Sequence, residues 1–196
     1  MKKSAILFAL LFCSAFPLFA QSTQFGVIVG GSRRFVDTAH AAPGTTLSDD
    51  SFDLSNSTFD IFYSTEIEPG TAFKLKAGRI QTQVGFADGT EDVNGNERDL
   101  RHDVEGEVQH VEGIIEYRFS EPFGSTSLFG GVGLYRHSSD TAGFDTMTDL
   151  GFSGGVNADF PITRRYGLVV EGTYHWTQAE FHPRYMTLGA GLRIAF

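Results

Sequence analysis

Apolar residues alternate with polar or small residues along most of this chain, and the clearest example closes it. Within 186–196 the apolar positions are Met186, Leu188, Ala190, Leu192, Ile194 and Phe196, and the positions between them are Thr187, Gly189, Gly191, Arg193 and Ala195. Alternation with period two is typical of a β-strand with one apolar face. Such a strand at the end of a soluble protein would invite aggregation, whereas a closed barrel in lipid both buries its apolar face and pairs its edge.

Seven further segments alternate in the same way. The pattern predicts eight strands, over residues 24–36, 53–68, 72–86, 104–119, 126–137, 149–160, 166–177 and 186–196. In the third segment the apolar phase changes between Ala77 and Ile80, beside Gly78. A phase change next to glycine predicts a β-bulge at this point.

The connections between these segments alternate in length. Polar loops are predicted after the odd-numbered strands, over 37–52, 87–103, 138–148 and 178–183, and short turns after the even-numbered strands, at 69–70, 121–124 and 161–165. Pro69-Gly70 has the residues of a type II turn. Long and short connections in alternation are typical of outer-membrane barrels. The predicted fold is therefore all-β, an eight-stranded antiparallel up-and-down transmembrane β-barrel.

The first twenty residues have the features of a secretory signal peptide. A basic start, Lys2-Lys3, precedes an apolar run, and Ala20-Gln21 offers a cleavage point. Residues 1–20 are thus predicted to be removed, which leaves one domain over 21–196. The only cysteine, Cys13, would leave with the signal, so the mature chain would have no disulfide or thiolate site.

Charge and hydropathy restrict the class of protein further. Without Lys2 and Lys3, 13 basic and 24 acidic residues remain, a net charge of −11. A chain this acidic is a poor candidate for nucleic-acid binding. The mean hydropathy of −0.11 is that of a soluble protein, but the alternating strands of a membrane barrel produce the same average.

The faces opposite the apolar stripes carry many charges, which in a membrane barrel would point into the lumen. This predicted lumen network comprises Arg79, Glu112, Glu116, Arg118, Asp159, Glu171 and Arg193. Glu171 and Arg193 lie on adjacent predicted strands with the same facing, which predicts an ion pair between them or a small network that Glu112, Glu116 and Arg118 could join. Buried charges pair because an unpaired one costs several kcal/mol, so the structural interpretation is a set of stabilising pairs. The functional interpretation is a narrow ion path whose pairs rearrange.

The signal peptide, the eight-segment layout and the ending Leu188 to Phe196 together resemble the small outer-membrane β-barrels of Gram-negative bacteria, of the OmpA and OmpX types. The resemblance covers essentially the whole mature chain. It implies residence in the outer membrane, contact with its lipids, and recognition of the terminal strand and its final Phe196 by the barrel-assembly machinery. It says little about activity, because one fold hosts many functions.

One segment is similar to an enzyme motif. Some eight-stranded outer-membrane lipid A deacylases use a His-x-Ser pair with a separate acid, and His137 and Ser139 have that spacing, with Asp149 or Asp145 as the acid. A serine nucleophile needs a base within hydrogen-bond reach and an acid that orients it. The alternative interpretation is the solvated end of a loop.

The segment 88–97 is rich in oxygen ligands. Asp88, Thr90, Asp92 and Asn94 have the spacing of the first positions of a calcium loop, but Val93 stands where the turn glycine belongs. Clusters of Asp, Asn and Gly also simply make turns. No cofactor is predicted.

The sequence predicts a structural or surface-interaction role in the outer membrane, with external contacts through loops 37–52 and 87–103 and a lumen largely plugged by paired charges. Three alternatives stay open at this point. They are a lipid-modifying enzyme, a narrow pore for ions or small solutes, and a secreted soluble barrel of the lipocalin kind, although the polar inner face argues against the last.

Overall fold

The computed structural model of the chain describes residues 22–35, 53–93, 96–140, 145–178 and 183–196, and for 53–55, 83–93, 96–104 and 121 it describes the backbone alone. The predicted signal peptide and most of loop 37–52 lie outside these residues. No helix long and apolar enough to cross a membrane is found in the described part of the chain.

Eight strands form one closed antiparallel barrel, in which each strand pairs with its neighbours in the sequence. They are β1 Thr23–Phe35, β2 Asp53–Glu68, β3 Thr71–Val93, β4 Asn96–Glu121, β5 Gly124–Ser138, β6 Met147–Pro161, β7 Tyr166–Thr177 and β8 Arg184–Ala195. The predicted fold is confirmed, and the bounds of β2 and β7 are those that the alternation predicts.

The closure of the barrel follows from pairing between its first and last strands. Starting at Phe35, the paired residues run around the barrel and return to the first strand at Phe25, ten residues earlier. The row is Phe35, Arg184, Trp176, Phe152, Val132, Gly113, Leu75, Tyr63, Phe25. With strands about 4.8 Å apart, this stagger tilts them by about 40° from the barrel axis.

Three short turns, the start of β1 and the end of β8 lie at one end of the barrel, called here the turn end. Gly70 has a φ of 80°, which the predicted type II turn requires. Its carbonyl accepts a hydrogen bond from the amide of Arg118 at 2.8 Å. The opposite end, where the long connections begin, is called the loop end.

The prediction of a loop over 87–103 is wrong. β3 and β4 stay paired up to Val93 and Asn96, with one register shift between Ala87 and Thr90. In the described ladders, β3 bonds to β2 only as far as Ile80, and β4 bonds to β5 only as far as Glu107. The segment is therefore a two-stranded hairpin that projects beyond the loop end.

The bulge predicted beside Gly78 is also absent, since β3 keeps its register with both neighbours across this position. Arg79 and Gln81 are exposed while Ile80 is fully buried, so the alternation continues and only the polarity of the two faces inverts. The apolar face of β3 points outward on the turn-end side of this level and inward on the loop-end side. Such an inversion is expected where a barrel wall passes from lipid into water.

The outward face between the two ends is apolar. Its large exposed side chains include Val29, Ile61, Val111, Ile115, Leu128, Val132, Val156, Val170, Leu188 and Leu192. On β7 the exposed stripe runs from Tyr166 to Trp176, a distance along the barrel axis of about 25 Å at this tilt. Aromatic residues at both ends of an apolar band of this height are typical of a barrel in a membrane.

Candidate functional site in the barrel interior

The alternation that turns apolar residues outward turns charged residues into the lumen. β3 contributes Lys74 and Lys76, which are 2% and 0% exposed, and β7 contributes Glu171, which is 3% exposed. β3 and β7 lie four strands apart in the closed order of eight, on opposite walls. Their side chains meet near the barrel axis.

Glu171 binds both lysines. Its Oε2 accepts a hydrogen bond from Lys74 Nζ at 3.0 Å, and its Oε1 accepts one from Lys76 Nζ at 3.2 Å. Thr173 Oγ1 also donates to Oε1 at 3.1 Å. Three donors to one buried carboxylate compensate for the loss of water that its burial imposes.

Aromatic rings complete the surroundings of the two ammonium groups. Lys74 Nζ lies 5.1 Å from the ring centre of Phe62 and 5.2 Å from that of Phe129, while Lys76 Nζ lies 5.8 Å from the latter. Cation–π contacts of this kind are strongest where water is excluded. Lys74 Nζ is also 3.7 Å from Glu116 Oε2, which joins this group to the next one.

A second group lies toward the turn end. Arg193 Nε contacts Asp159 Oδ2 at 2.5 Å. Arg118 donates to Ser64 Oγ at 2.7 Å and to Glu116 Oε2 at 3.3 Å, and Asn157 donates to Glu116 Oε1 at 2.6 Å. A small cavity lies among these side chains.

A third group, toward the loop end, is built around histidine. The imidazole of His110 lies between two carboxylates, with Nδ1 2.6 Å from Glu112 Oε1 and Nε2 3.0 Å from Asp60 Oδ1. Neither contact has the alignment of a hydrogen bond, and the two contacts are ion pairs when the imidazole is protonated. His175 Nδ1 lies 3.4 Å from the same Glu112 oxygen and 2.9 Å from Tyr135 Oη.

Nearer the loop end the interior gains an apolar cluster, although Arg34 and Thr82 are also buried there. Ile80, Val108, Tyr135 and Tyr185 are fully buried and form one cluster. His137 borders the cluster, with its ring centre 6.2 Å from that of Tyr185. The interior thus changes from charged to apolar near the level where the exterior changes from apolar to polar.

The structure separates one predicted pair and moves one predicted lumen residue. Glu171 binds the two lysines and Arg193 binds Asp159, so the direct Glu171–Arg193 pair is wrong. Lys74 instead links Glu171 to Glu116, which Arg118 also contacts. Arg79 points outward, with its side chain 54% exposed and its Nη1 3.6 Å from Glu107 Oε2. Its predicted place in the lumen is wrong, because β3 has already passed into its polar-outside region. The other predicted lumen residues face inward, namely Glu112, Glu116, Arg118, Asp159, Glu171 and Arg193.

Sequence reasoning missed four central residues, Lys74, Lys76, Asp60 and His110. Lys74 and Lys76 alternate with Phe73, Leu75 and Ala77, so the apolar phase already placed them inside. Asp60 occupies the corresponding position between Phe59 and Ile61. The alternation indicated that these residues face inward, but it could not show which residues on the other strands bind them.

The residues of the predicted enzyme motif have other contacts. His137 Nδ1 lies 3.5 Å from Tyr185 Oη, and its Nε2 has no hydrogen-bond partner in the described structure. Ser139 Oγ donates to the carbonyl of Glu105 at 2.6 Å. Asp149 stands across from Tyr135 in the β5–β6 ladder rather than across from His137. A nucleophile–base–acid relay is not formed by these contacts.

The predicted calcium ligands cannot be placed as a site. Asp88 and Asp92 lie in the hairpin, where only the backbone is described, and Asn94 lies outside the described residues. Among the described residues, no group of His, Cys, Asp or Glu has the geometry to hold a metal ion.

The terminal residue extends the barrel seam. The amide of Phe196 donates to the carbonyl of Thr23 at 2.9 Å, while its side chain is 81% exposed at the turn end. The predicted assembly signal is therefore accessible at its side chain and fixed at its backbone.

The inward charged side chains are held in place by contacts with side chains of other strands. Ion pairs and hydrogen bonds join non-adjacent strands at three levels, from Arg118 and Arg193 near the turn end, through Lys76, to His110 toward the loop end, and the Lys76 bond joins opposite walls. Such a set of mutual partners favours a rigid polar interior over an open aqueous channel.

Comparison with known proteins agrees with this geometry. A family model described as the outer membrane protein beta-barrel domain matches residues 5–196. No curated protein sequence is similar enough to count as a match.

Several solved structures share the architecture. The crystal structure of Neisserial surface protein A has a TM-score of 0.59 and 16% identity, over 89% of this chain and 97% of that one. The attachment invasion locus protein Ail of Yersinia pestis, in complex with the heparin analogue sucrose octasulfate, has a TM-score of 0.50 and 15% identity, over 89% and 98%. The N-terminal β-barrel domain of Pseudomonas aeruginosa OprF has a TM-score of 0.50 and 14% identity, over 90% and 98%. At these identities the likeness shows the fold alone.

Proposed function

The chain belongs to the family of outer membrane protein β-barrel domains, and from that premise we propose that it is a closed, non-conducting barrel that acts through the surface it presents outside the cell. Its loop end faces outward, as the long connections of outer-membrane barrels do, and its turn end faces the periplasm. The proposed role is structural and interaction-related, and no chemical step is assigned to it.

One observation supports the proposal of a closed lumen most directly. Lys76 on β3 donates to Glu171 on β7, across the full width of the barrel. An eight-stranded barrel has an interior just wide enough for side chains to fill. A bond between opposite walls therefore occupies the space through which a solute would pass.

Two further levels support the same proposal. Near the turn end, Arg118 on β4 reaches Ser64 on β2 at 2.7 Å. Toward the loop end, Tyr135 on β5 meets His175 on β7 at 2.9 Å. A solute that crossed the barrel would have to displace partners at each level, and each displacement would leave a buried charge or dipole unpaired.

The β3–β4 hairpin supports the surface role. Beyond Ile80 and Glu107 its two strands are bonded to each other in the described ladders, and the β3 part alone, Gln81 to Val93, spans up to about 44 Å. The sequence 88–103 carries a majority of acidic residues among its charges. We propose that external contacts are made by this hairpin, in place of the predicted loop 87–103, together with loop 37–52.

The enzyme alternative is not supported by the geometry. A deacylase of the proposed kind needs His137 within hydrogen-bond reach of Ser139, whereas His137 Nδ1 contacts Tyr185 Oη and Ser139 Oγ donates to the Glu105 carbonyl. Overexpression of the protein is accordingly expected to leave the acyl-chain pattern of lipid A unchanged in mass spectra.

Osmotic swelling of proteoliposomes tests the closed lumen. Liposomes that contain the purified protein are expected to swell in arabinose no faster than empty ones. A variant in which residues 83–104 are replaced by Asn-Gly shortens the hairpin and leaves the described interior contacts in place. It should stay equally closed and keep its heat-modifiable migration on gels. Rapid swelling with the intact protein would favour the pore alternative, and rapid swelling with the shortened variant alone would assign closure to the hairpin.

A further inference from the structure

His137 on β5 is buried at the loop end with an incomplete set of partners. Its side chain is 2% exposed, its Nδ1 lies 3.5 Å from Tyr185 Oη, and its Nε2 has no hydrogen-bond partner among the described residues. In the ladder it stands across from Val108, which forms the apolar cluster with Ile80, Tyr135 and Tyr185. A titratable ring is therefore packed against the apolar cluster.

This position lies outside the apolar band of the barrel. The preceding residue, Arg136, is exposed on the outer surface, and the ladder row of His137 continues through Val108 to Ile80, where the outer face of β3 has already become polar. The protonation of His137 can thus follow the pH of the surrounding medium. Burial lowers the pKa of His137 to about 4, because the imidazolium would lose its hydration without gaining a partner in this geometry.

A carboxylate lies next to the ring. Asp149 on β6 pairs with Tyr135, and Met147 pairs with His137, so Asp149 and His137 are diagonal neighbours in the ladder. Diagonal neighbours have Cβ atoms about 7–8 Å apart or less, a distance that an imidazole and a carboxylate can bridge. Asp149 Oδ2 is buried without a hydrogen-bond partner among the described residues, and burial raises the pKa of this carboxyl. Each of the two groups thus has a buried polar atom that the other can satisfy.

The other ionisable groups near the ring have different roles. Among the residues whose side chains are described, those that face the interior toward this end are Arg34 on β1, His110 on β4, Tyr135 on β5, His175 on β7 and Tyr185 on β8. His110 and His175 contact Glu112 deeper in the barrel, and tyrosine hydroxyls stay protonated below about pH 10. Arg34 adds a positive charge, which disfavours a second one nearby. Asp149 is therefore the acceptor available to a protonated His137.

We propose that His137 is an acid-sensitive latch at the loop end of the barrel. At neutral pH the uncharged ring accepts a hydrogen bond from Tyr185 and packs against the apolar cluster. When the ring takes up a proton, its Nδ1 no longer accepts, and the ring turns to pair with Asp149. The contact with Tyr185 is then lost, and the apolar cluster opens on its β5 side. The inference concerns this end of the barrel and stands whether or not the lumen conducts.

Histidine NMR of the refolded protein in micelles tests the latch, with the His137 signal assigned by its absence from His137→Phe. Its titration midpoint should lie more than about one pH unit below the value of about 6.5 for an exposed histidine, and Asp149→Asn should lower it by about one further unit. Asp140→Asn removes an exposed carboxylate from the same end and should leave the midpoint unchanged. Heat-modifiable migration shows that each variant is folded.

Fluorine NMR of protein with fluorinated tyrosine follows the other half of the latch. The Tyr185 signal, assigned by Tyr185→Phe, should shift with the same midpoint as His137 and should not respond to pH in His137→Phe.

Urea titration measures the corresponding change in stability. A histidine that is buried in its neutral form contributes stability that is fully present above about pH 6.5 and is lost as the pH falls. Between about pH 7.5 and pH 5.0 the equilibrium constant for unfolding should therefore rise about ten-fold more for the wild type than for His137→Phe.

Three results would overturn the proposal. A midpoint near that of an exposed histidine would show that burial does not hold the ring neutral. Equal midpoints in the wild type and Asp149→Asn, or a Tyr185 signal that does not follow His137, would show that the ring takes up its proton without changing partners. Unfolding of the barrel before His137 titrates would show that the protonated ring has no folded arrangement.

Discussion

Lys76 and Glu171 are 95 positions apart in the sequence and join opposite walls of the barrel through a 3.2 Å contact between Nζ and Oε1. Both side chains are buried, and Lys74 shares the same carboxylate. Removing one partner from a buried pair leaves an uncompensated charge, which costs far more than the net value of the pair. Loss of the Glu171 carboxylate would therefore leave two buried ammonium groups without their shared partner.

Glu171→Leu is expected to lower the free energy of unfolding by about 3–5 kcal/mol, because two buried ammonium groups lose their carboxylate. Urea titration in detergent micelles, followed by the intensity of the folded band on a gel, measures this loss. Glu107→Leu is the control, since its partner Arg79 is 54% exposed, and it should cost about 1 kcal/mol or less. The triple variant Lys74→Met/Lys76→Met/Glu171→Leu should recover most of the loss. Similar costs for Glu171→Leu and Glu107→Leu would contradict the buried network.

His110→Phe is expected to be destabilising by about 3–5 kcal/mol, because Asp60 and Glu112 would lose the imidazole that lies between them. His137→Phe is the matched control. Its ring is equally buried but borders the apolar cluster of Ile80 and Val108, so a phenyl ring should cost about 1 kcal/mol or less. The same urea titration compares the two variants. If the control is the more damaging change, the interior is not organised as described.

Gly167→Ala is expected to disturb the Arg193–Asp159 pair. A Cβ at this position would lie 2.8 Å from Arg193 Cζ and 2.9 Å from Asp159 Oδ1, and overpacking of this kind costs about 1–3 kcal/mol. Gly172→Ala on the same strand is the control, since its Cβ would lie 3.8 Å from Leu188 Cδ1, an ordinary contact. Thermal unfolding in micelles should separate the two variants, and equal midpoints would show that the crowding at Gly167 is relieved without cost.

Phe196→Ala is expected to reduce the amount of folded protein in the outer membrane of cells and to leave refolding in micelles nearly unchanged. The side chain is 81% exposed, so it contributes little packing, and the resemblance of the terminal strand predicts that the barrel-assembly machinery recognises it. Phe123→Ala removes another exposed aromatic side chain from the same end and should leave cellular assembly normal. Normal assembly of Phe196→Ala would show that the terminal residue is not an assembly signal.

The fold was predictable from the sequence because period-two alternation is a local property. It located all eight strands, and it gave the bounds of β2 and β7 as the structure has them. The errors arose where the environment of the wall changes. The inversion at Ile80 has the same sequence signature as a bulge, and the polar residues 87–103 have the composition of a loop although they pair as a hairpin.

The interior was predictable only in part. The facing of Glu112, Glu116 and Glu171 followed from the alternation. Their partners did not, because the stagger of the barrel decides which residues on opposite walls reach the same level. Glu171 and Arg193 are on adjacent strands, yet Glu171 lies level with Gly189 and Arg193 with Gly167. The lysines that bind Glu171 come from the other side of the lumen.

Single-channel recording in planar bilayers tests the closed, charge-filled lumen most directly. The intact protein is expected to give a flat current trace. Lys74→Ala/Lys76→Ala/Glu171→Ala, which removes the contact between opposite walls, should give discrete conductance steps, and Arg79→Ala/Glu107→Ala on the outer surface should stay silent. Stable conductance steps from the intact protein would contradict the account, since ions would then cross a barrel in which Lys76 and Glu171 meet.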